Sequence, residues 1–320
     1  MSNLSPVVQK ETAELRRRKF WAAIRKDKLL YFMAIPGIAY FILFHYVPMA
    51  GLDRAVIKYN ISKGFAARPW VGLANFEKLF NMYGFPEAFK NTLTISAMKI
   101  LIGFPLPIIF AIALNEISNK YFKKTVQTVV CLPHFISWIV VQGLLYTLLN
   151  ANNGVIVDIC RLFGYEGKVI NLLASKQYFQ GLIVVSDIWK TFGYGSILYI
   201  ATITSIDQEL YEAAKIDGAG KLKQIWYVTL PGLRSTIVIM LIMRVGNILN
   251  AGFDQIYAIS NDMVTEVAEI LDTFVYKLGI TRQDFSRATA AGMFKSVIGL
   301  VMVLITNWIV SKIDKDSALI

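Results

Sequence analysis

Six stretches of this 320-residue chain are each roughly 20 residues long and mostly apolar. At ~1.5 Å of rise per residue, each suffices for a helix crossing a hydrocarbon layer ~30 Å thick. They run approximately from Leu29 to Leu52, Asn91 to Leu114, Val126 to Leu149, Gly181 to Ile203, Leu233 to Gly252 and Ala288 to Val310. The runs are continuous and do not alternate apolar with polar residues, so they predict helices rather than barrel strands. The expected fold class is all-α, a polytopic membrane protein of about six transmembrane helices. With 55% hydrophobic residues, the chain is too apolar for an ordinary soluble domain.

The net charge of +11 does not point to nucleic acid, because the basic residues crowd the borders of apolar runs instead of covering an aromatic-studded face. The cluster Arg16-Arg17-Arg18-Lys19, with Arg25, Lys26 and Lys28, makes residues 1–28 a basic tail that stays cytoplasmic. Lys120, Lys123 and Lys124, and then Lys215, Lys221, Lys223 and Arg234, fall on the same side. Residues 29–312 then form the transmembrane domain and 313–320 a cytoplasmic C-terminal tail. The connections Asp53 to Lys90, Ala151 to Gln180 and Phe253 to Arg287 mix acids with bases and carry aromatics, and read as external, although Arg54, Lys58 and Lys63 run against that bias. The first apolar run is long enough to remain as an anchor rather than a cleaved signal. Cys131 and Cys160 sit at different expected depths, so no disulfide is expected. His45 and His134 read as interfacial anchors, and no metal-ligand spacing occurs.

Lys99, Asp187, Lys190, Arg244 and Lys295 fall inside the expected spans, where each charge costs on the order of 3 kcal/mol or more unless it faces a partner or water. Asp187 and Lys190, three apart on one helix, are expected to pair. Arg244 with Asn247, and Lys295 with Ser296 and Gly292, extend polar faces that suit a solute path. A basic lining would ease an anionic solute through it. Gly103, Pro105 and Pro107 predict a kink or local unwinding in the second span.

Between the fourth and fifth spans, residues 207–231 read as two short helices. Asp207 can cap the first, with Glu209 in its first turn. Gly218 and Gly220 can end it, and the second should run from about Lys221 to Val228 and stop before Pro231. Ala213, Ala214, Gly218 and Ala219 form a small-residue patch that another surface can approach closely.

Glu212-Ala213-Ala214, three residues, Gly218, nine residues, then Val228-x-Leu230-Pro231 resembles the EAA signature of binding-protein-dependent ABC importer permeases, with valine for the usual isoleucine. Leu132-Pro133-His134-Phe135-Ile136-Ser137-Trp138, Asp217-Gly218-Ala219-Gly220 and Asp272-Thr273-Phe274-Val275-Tyr276 look like the polysaccharide-type sugar permeases, with Phe274 where tyrosine is more usual. The likeness spans about 31–312 and looks closest to permeases of bacterial importers for alginate, a uronic-acid polymer. It implies an inner-membrane subunit with both termini cytoplasmic. Its implied partners are a second permease, an ATPase dimer, an extracytoplasmic binding protein and an oligosaccharide. No cofactor is implied in this chain; ATP and magnesium would sit on the ATPase. Carried over, Glu212, Ala213, Ala214, Asp217, Gly218, Ala219, Leu230 and Pro231 would couple to that ATPase, while Lys99, Asp187, Lys190, Arg244, Asn247 and Lys295 are candidates for the path.

An ATPase site within the chain is not expected. Gly218-Ala219-Gly220-Lys221 is followed by Leu222 where a phosphate loop needs Ser or Thr, and Lys215 stands where its first glycine belongs. No nucleophile, base and oxyanion constellation argues for an enzyme. The competing class is a proton- or sodium-coupled secondary transporter relaying through Asp187 and Lys190. That class would want broken helices in two related halves, and only one candidate break is visible. A channel would need a repeated filter-like loop, which is absent from the sequence.

Overall fold

A computed structural model describes residues 22, 25–59, 69–164, 167 and 170–313. The cluster Arg16 to Lys19, Lys63 and the tail after 313 lie outside the described residues. Among those described, secondary structure is helical apart from one isolated antiparallel bridge, Ile57 with Trp70.

The chain divides into two compact units, 1–54 and 55–320. The first carries α1 (Lys28–Phe41), a π-helical turn Ile42–Tyr46 and a short continuation Val47–Met49. Together with the 3-10 turn that follows, it makes one apolar span, Lys28–Ala55. Leu29, Phe32, Ile38, Phe41 and Phe44 are all exposed, as expected of side chains that face lipid.

The second unit begins its long helices with α2 (Phe85–Gly103) and α3 (Pro105–Asn115). The kink expected at Gly103 to Pro107 is slight: Phe104 keeps helical angles (φ −70°, ψ −40°), and Phe85–Asn115 counts as one apolar span. Pro105 opens a first helical turn, where its missing N–H is tolerated. The third expected span is not straight. α4 (Lys120–Cys131) and the 3-10 turn Leu132–Phe135 meet α5 (Trp138–Leu149) at 101°. Ile136 and Ser137 are extended at the corner, and the Ser137 hydroxyl accepts from the Val140 N–H to start α5.

α6 (Lys176–Ser205) has 30 residues, about 45 Å, and contains the fourth expected span. It is long enough to cross, yet only four helices, or five if the bent pair is one span, also meet the test of apolar composition, and α6 is not among them. Its polar residues are used internally, as described below. α7 (Gln208–Ile216) precedes α8 (Lys221–Gly246), then α9 (Phe253–Ile259), α10 (Leu271–Tyr276) and α11 (Phe285–Ile313).

The core is assembled across sequence-distant elements. Phe85 and Ala88 of α2 pack with Leu271 and Phe274 of α10 and with Ala290 and Ala291 of α11. Ile95 joins Phe179 and Ile183 of α6 and Ile256 and Ile259 of α9. Ala111, Tyr199, Ile203 and Leu233 form a third group. Gly193 lets α6 touch α4, since a Cβ there would overlap the Val130 carbonyl.

Candidate functional site

The connector between α6 and α8 folds from local chemistry. The Asp207 carboxylate accepts from the Glu209 N–H at 3.0 Å and starts α7. Gly218 ends it in the left-handed region (φ +76°). The Ala219 N–H reaches the Ala214 carbonyl at 2.8 Å and the Gly218 N–H reaches that of Lys215 at 3.0 Å, the paired bonds of a Schellman cap. A Cβ at Gly218 would meet no atom within 4 Å, so backbone conformation, not crowding, asks for glycine within this chain. Gly220 does not end α7 as expected; extended (φ −64°, ψ 169°), it opens the following helix.

That following helix also departs from expectation. Instead of stopping before Pro231, it runs without a break from Lys221 to Gly246, 26 residues or about 39 Å. A π turn at Ile225–Thr229 makes this possible. Proline has no N–H, and its ring crowds the carbonyl four residues back, here that of Tyr227. In the π turn the Leu230 N–H bonds to Ile225, five residues back, widening the helix where the ring enters. The same device recurs in α1's span, where Val47 bonds to Ile42 just before Pro48.

α7 buries none of its residues. Glu212, Ala213, Asp217, Gly218 and Pro231 are exposed; Ala214, Ala219 and Leu230 are half-buried. Tyr211 hydroxyl to Thr229 hydroxyl (2.9 Å) ties α7 to the π turn, and the Gln224 amide donates to the Ala219 carbonyl (2.8 Å). Lys221 pairs with Glu116 after α3 at 2.5 Å. Leu210, Ile216, Leu222 and Trp226 are left largely exposed, an apolar patch of the kind that marks a protein contact.

The charges inside the spans fall into separate groups. Lys99 is buried, and each of its three ammonium protons has an acceptor: Asp187 Oδ1 at 3.0 Å, the Ala251 carbonyl at 2.9 Å and Gln255 Oε1 at 2.6 Å. Gln255, fully buried, donates in turn to the Ile183 carbonyl (2.7 Å) and Ser186 hydroxyl (2.9 Å). This node joins α2, α6 and the start of α9. The expected Asp187–Lys190 pair is therefore not formed. Lys190 instead donates to the His134 carbonyl at 2.6 Å, an acceptor released where the helix breaks at the corner, and lies over the Trp138 ring at 5.4 Å.

Two clefts open beside this node. One of about 210 Å³ is lined by Ser96, Lys99, Arg244, Asn247 and Asn250. Another, of about 690 Å³, is lined by Asn247 and Asn250 again, with Gly292, Lys295 and Ser296. Both reach the backbone that unwinds after α8: Asn247 terminates the helix, turns follow, and Gly252 adopts φ +101°. The expected fifth span thus ends its helix at Gly246, since Asn247, Asn250 and Gly252 favour turns. Irregular backbone at membrane depth is tolerated where it lines a cavity. α8 and α11 approach closely at Gly246, where a Cβ would meet Val303 at 2.5 Å. Lys295 pairs with Asp272 of α10. Arg244 has neither an ion pair nor a side-chain hydrogen bond among the described residues, and the buried Ser96 hydroxyl in the same cleft is also unpartnered. Of the path candidates, Lys99, Arg244, Asn247 and Lys295 line the clefts, Asp187 is held by Lys99 beside them, and Lys190 serves the corner. Gln255, Asn250 and Ser96 escaped the sequence reading, because polar but uncharged residues give no signal in a hydropathy profile, and Asp272 was met only within the family-like run that it opens, not as a partner for Lys295.

The family described as binding-protein-dependent transport system inner membrane component matches residues 103–315. The polygalacturonan/rhamnogalacturonan transport system permease protein YteP of Bacillus subtilis (strain 168) is 41% identical, over 94% of this chain and 93% of its own length. A crystal structure of a bacterial ABC transporter involved in the import of the acidic polysaccharide alginate superposes with a TM-score of 0.84 at 39% identity, covering 92% of this chain and 99% of that one. A second structure, the alginate transporter in complex with an alginate pentasaccharide-bound periplasmic protein, gives 0.83 at 39% identity over 92% and 98%.

Proposed function

This chain belongs to the family of binding-protein-dependent transport system inner membrane components, as a multi-pass permease of a sugar ABC importer, and we propose that it forms half of the path for an acidic oligosaccharide. The solute favoured is alginate or another uronic-acid oligomer. Alginate and polygalacturonan, named for two relatives, are both polyuronates, and an unpaired arginine lining a cleft is the group best suited to a passing carboxylate. A second permease would complete the path. An extracytoplasmic binding protein delivers solute, as the periplasmic protein bound to one structural relative suggests. Both termini are cytoplasmic on this reading.

The observation that carries the proposal is the unbroken helix α8. Its first residues adjoin Gly218 and Ala219 of the connector, and its last turn bears Arg244 and leads to Asn247. Glu212, Ala213, Ala214, Asp217, Gly218 and Ala219, with Leu230 and Pro231 at the base, dock in a groove of a separate ATPase that holds ATP and magnesium. Closure of that ATPase would tilt α8 as a rigid body and reshape the cleft at its far end.

The test is purification of the tagged chain from its native membrane in mild detergent. An ATPase and a second permease should co-purify, and hydrolysis should rise when a binding protein loaded with oligogalacturonide or alginate oligomers is added. A lone chain with no associated hydrolysis in several detergents would overturn the proposal.

A further inference from the structure

A third recess, of about 450 Å³, lies away from the Arg244 cleft, where the end of α5 meets the connections before α6 and after α9. We propose that it is a subsite for the hydroxyl-bearing face of a pyranose ring, which stacks on Tyr146 before the solute reaches the arginine. The proposal rests on the importer reading above, and on the assignment of this face as extracytoplasmic.

Gln142 and Tyr146, one turn apart on α5, and Asn150, which caps its end, all line the recess. Asn171 enters from the loop before α6; Ser260 and Asp262 enter from the turn after α9. The wall is pre-formed, since the Asn261 amide donates to the Leu173 carbonyl at 2.8 Å and its Oδ1 accepts from the Met263 N–H at 3.0 Å. The remaining groups keep capacity in hand. Asn150 and Asn171 use only their oxygens, on the N–H groups of Asn152 (2.9 Å) and Leu173 (3.1 Å), which leaves both amide NH₂ groups free among the described residues. Gln142, the Tyr146 phenol and the Ser260 hydroxyl have no hydrogen-bond partner there.

An aromatic face ringed by uncommitted amides and hydroxyls matches what a sugar ring offers, an apolar C–H face edged by hydroxyls that both donate and accept. The size is that of a small-ligand pocket. A membrane-interface tyrosine would account for Tyr146 alone, not for the convergence of polar groups from three segments upon it. Charge sharpens the assignment. Among the described residues no lysine or arginine lines the recess and Asp262 does, so a carboxylate is disfavoured there and the neutral face of the sugar is accepted. The Arg244 cleft has the opposite preference. A uronic-acid residue presents both faces, and each site reads one.

The probes are an oligogalacturonide and its carboxyl-reduced, neutral counterpart, added to the complete complex in lipid nanodiscs without binding protein; binding is read by saturation-transfer NMR. The neutral oligomer should bind. Tyr146→Ala should weaken it about tenfold, the scale of a lost aromatic contact plus hydrogen bond, while Tyr146→Phe keeps most of the affinity. Unaltered binding of the neutral oligomer in the doubly substituted Tyr146→Ala, Asn171→Ala complex overturns the proposal. In a parallel pull-down with the empty binding protein, loss of association by the same variant at unchanged sugar affinity overturns it too and makes the recess a protein-docking surface. Because this readout needs no hydrolysis, it is decided separately from the importer reading, which stands or falls on hydrolysis stimulated by the loaded binding protein.

Discussion

The node around Lys99 and the connector around Gly218 are opposite solutions for polar residues in one chain. At the node every donor of a buried ammonium is matched within 3.0 Å by acceptors from other elements, leaving nothing available to a partner. In the connector Glu209, Glu212 and Ala213 of α7 are exposed and none of its residues is buried, and only the cap, Tyr211 and neighbouring contacts hold the helix in place. Charge inside a membrane span is thus no guide to function by itself. What separates a structural ion from a candidate working one is whether its partners are already in the fold, and by that measure Arg244, with no ion pair or side-chain hydrogen bond among the described residues, remains the candidate and Lys99 does not.

Substitutions should separate the two behaviours. The largest effect belongs to Lys99→Met, which strands the Asp187 carboxylate, the Gln255 oxygen and the Ala251 carbonyl together; we expect a loss of about 3–5 kcal/mol, seen as collapse of the melting transition in detergent. The double variant Lys99→Met, Asp187→Leu should recover much of it. A melting curve for Lys99→Met that overlays the parent would break the comparison at its buried end. Next, Gly218→Val forces a β-branched residue to φ +76°, a local strain of about 1–2 kcal/mol. The protein should stay folded but lose solute-stimulated hydrolysis and co-purifying ATPase. Retention of both would remove the connector from the coupling role. Arg244→Ala should leave melting unchanged and raise the uptake KM for an acidic oligosaccharide about tenfold or more, in keeping with a lost charge-assisted bond of ~2 kcal/mol. Equal uptake of acidic and carboxyl-reduced solute by parent and variant alike would show that the guanidinium reads no charge. Smallest is Glu266→Gln. The hydrogen bond from Lys176 holds the Glu266 carboxyl below its usual range. Its contribution is therefore present above that range and fades as pH falls through the lowered value. Since both side chains are exposed, parent and variant should melt together at neutral pH.

The connector was readable because its determinants are neighbours in sequence. Asp207 lies two residues from the amide it caps, and Gly218 closes the helix that it follows. The apolar runs were readable for the same reason, as averages over a window. The node was not, because Lys99 meets Asp187 across 88 residues and Gln255 across 156. Asp187 had a lysine one turn away, and no local rule reveals that a distant one takes it. The corner at Ile136 and Ser137 was hidden by its apolar flanks, although Pro133 and the capping Ser137 were visible in the sequence. The unwound stretch after Gly246 was likewise absorbed into an apolar run, despite Asn247, Asn250 and Gly252. Pro231 misled for a different reason: a proline stops a helix only when the preceding turn keeps α geometry.

That π turn also sets a clock. Each residue of an α-helix advances the side chains by about 100°, so the one extra residue held by Ile225–Thr229 rotates everything beyond it by nearly a third of a revolution. The screw that begins beneath Gly218 delivers Arg244 and Asn247 to the cleft only with this added increment. Removing a single residue there would return Pro231 to a turn of α geometry, where its ring crowds the carbonyl four residues back, and would leave the two ends of the helix out of phase, with the arginine turned toward the wrong neighbour.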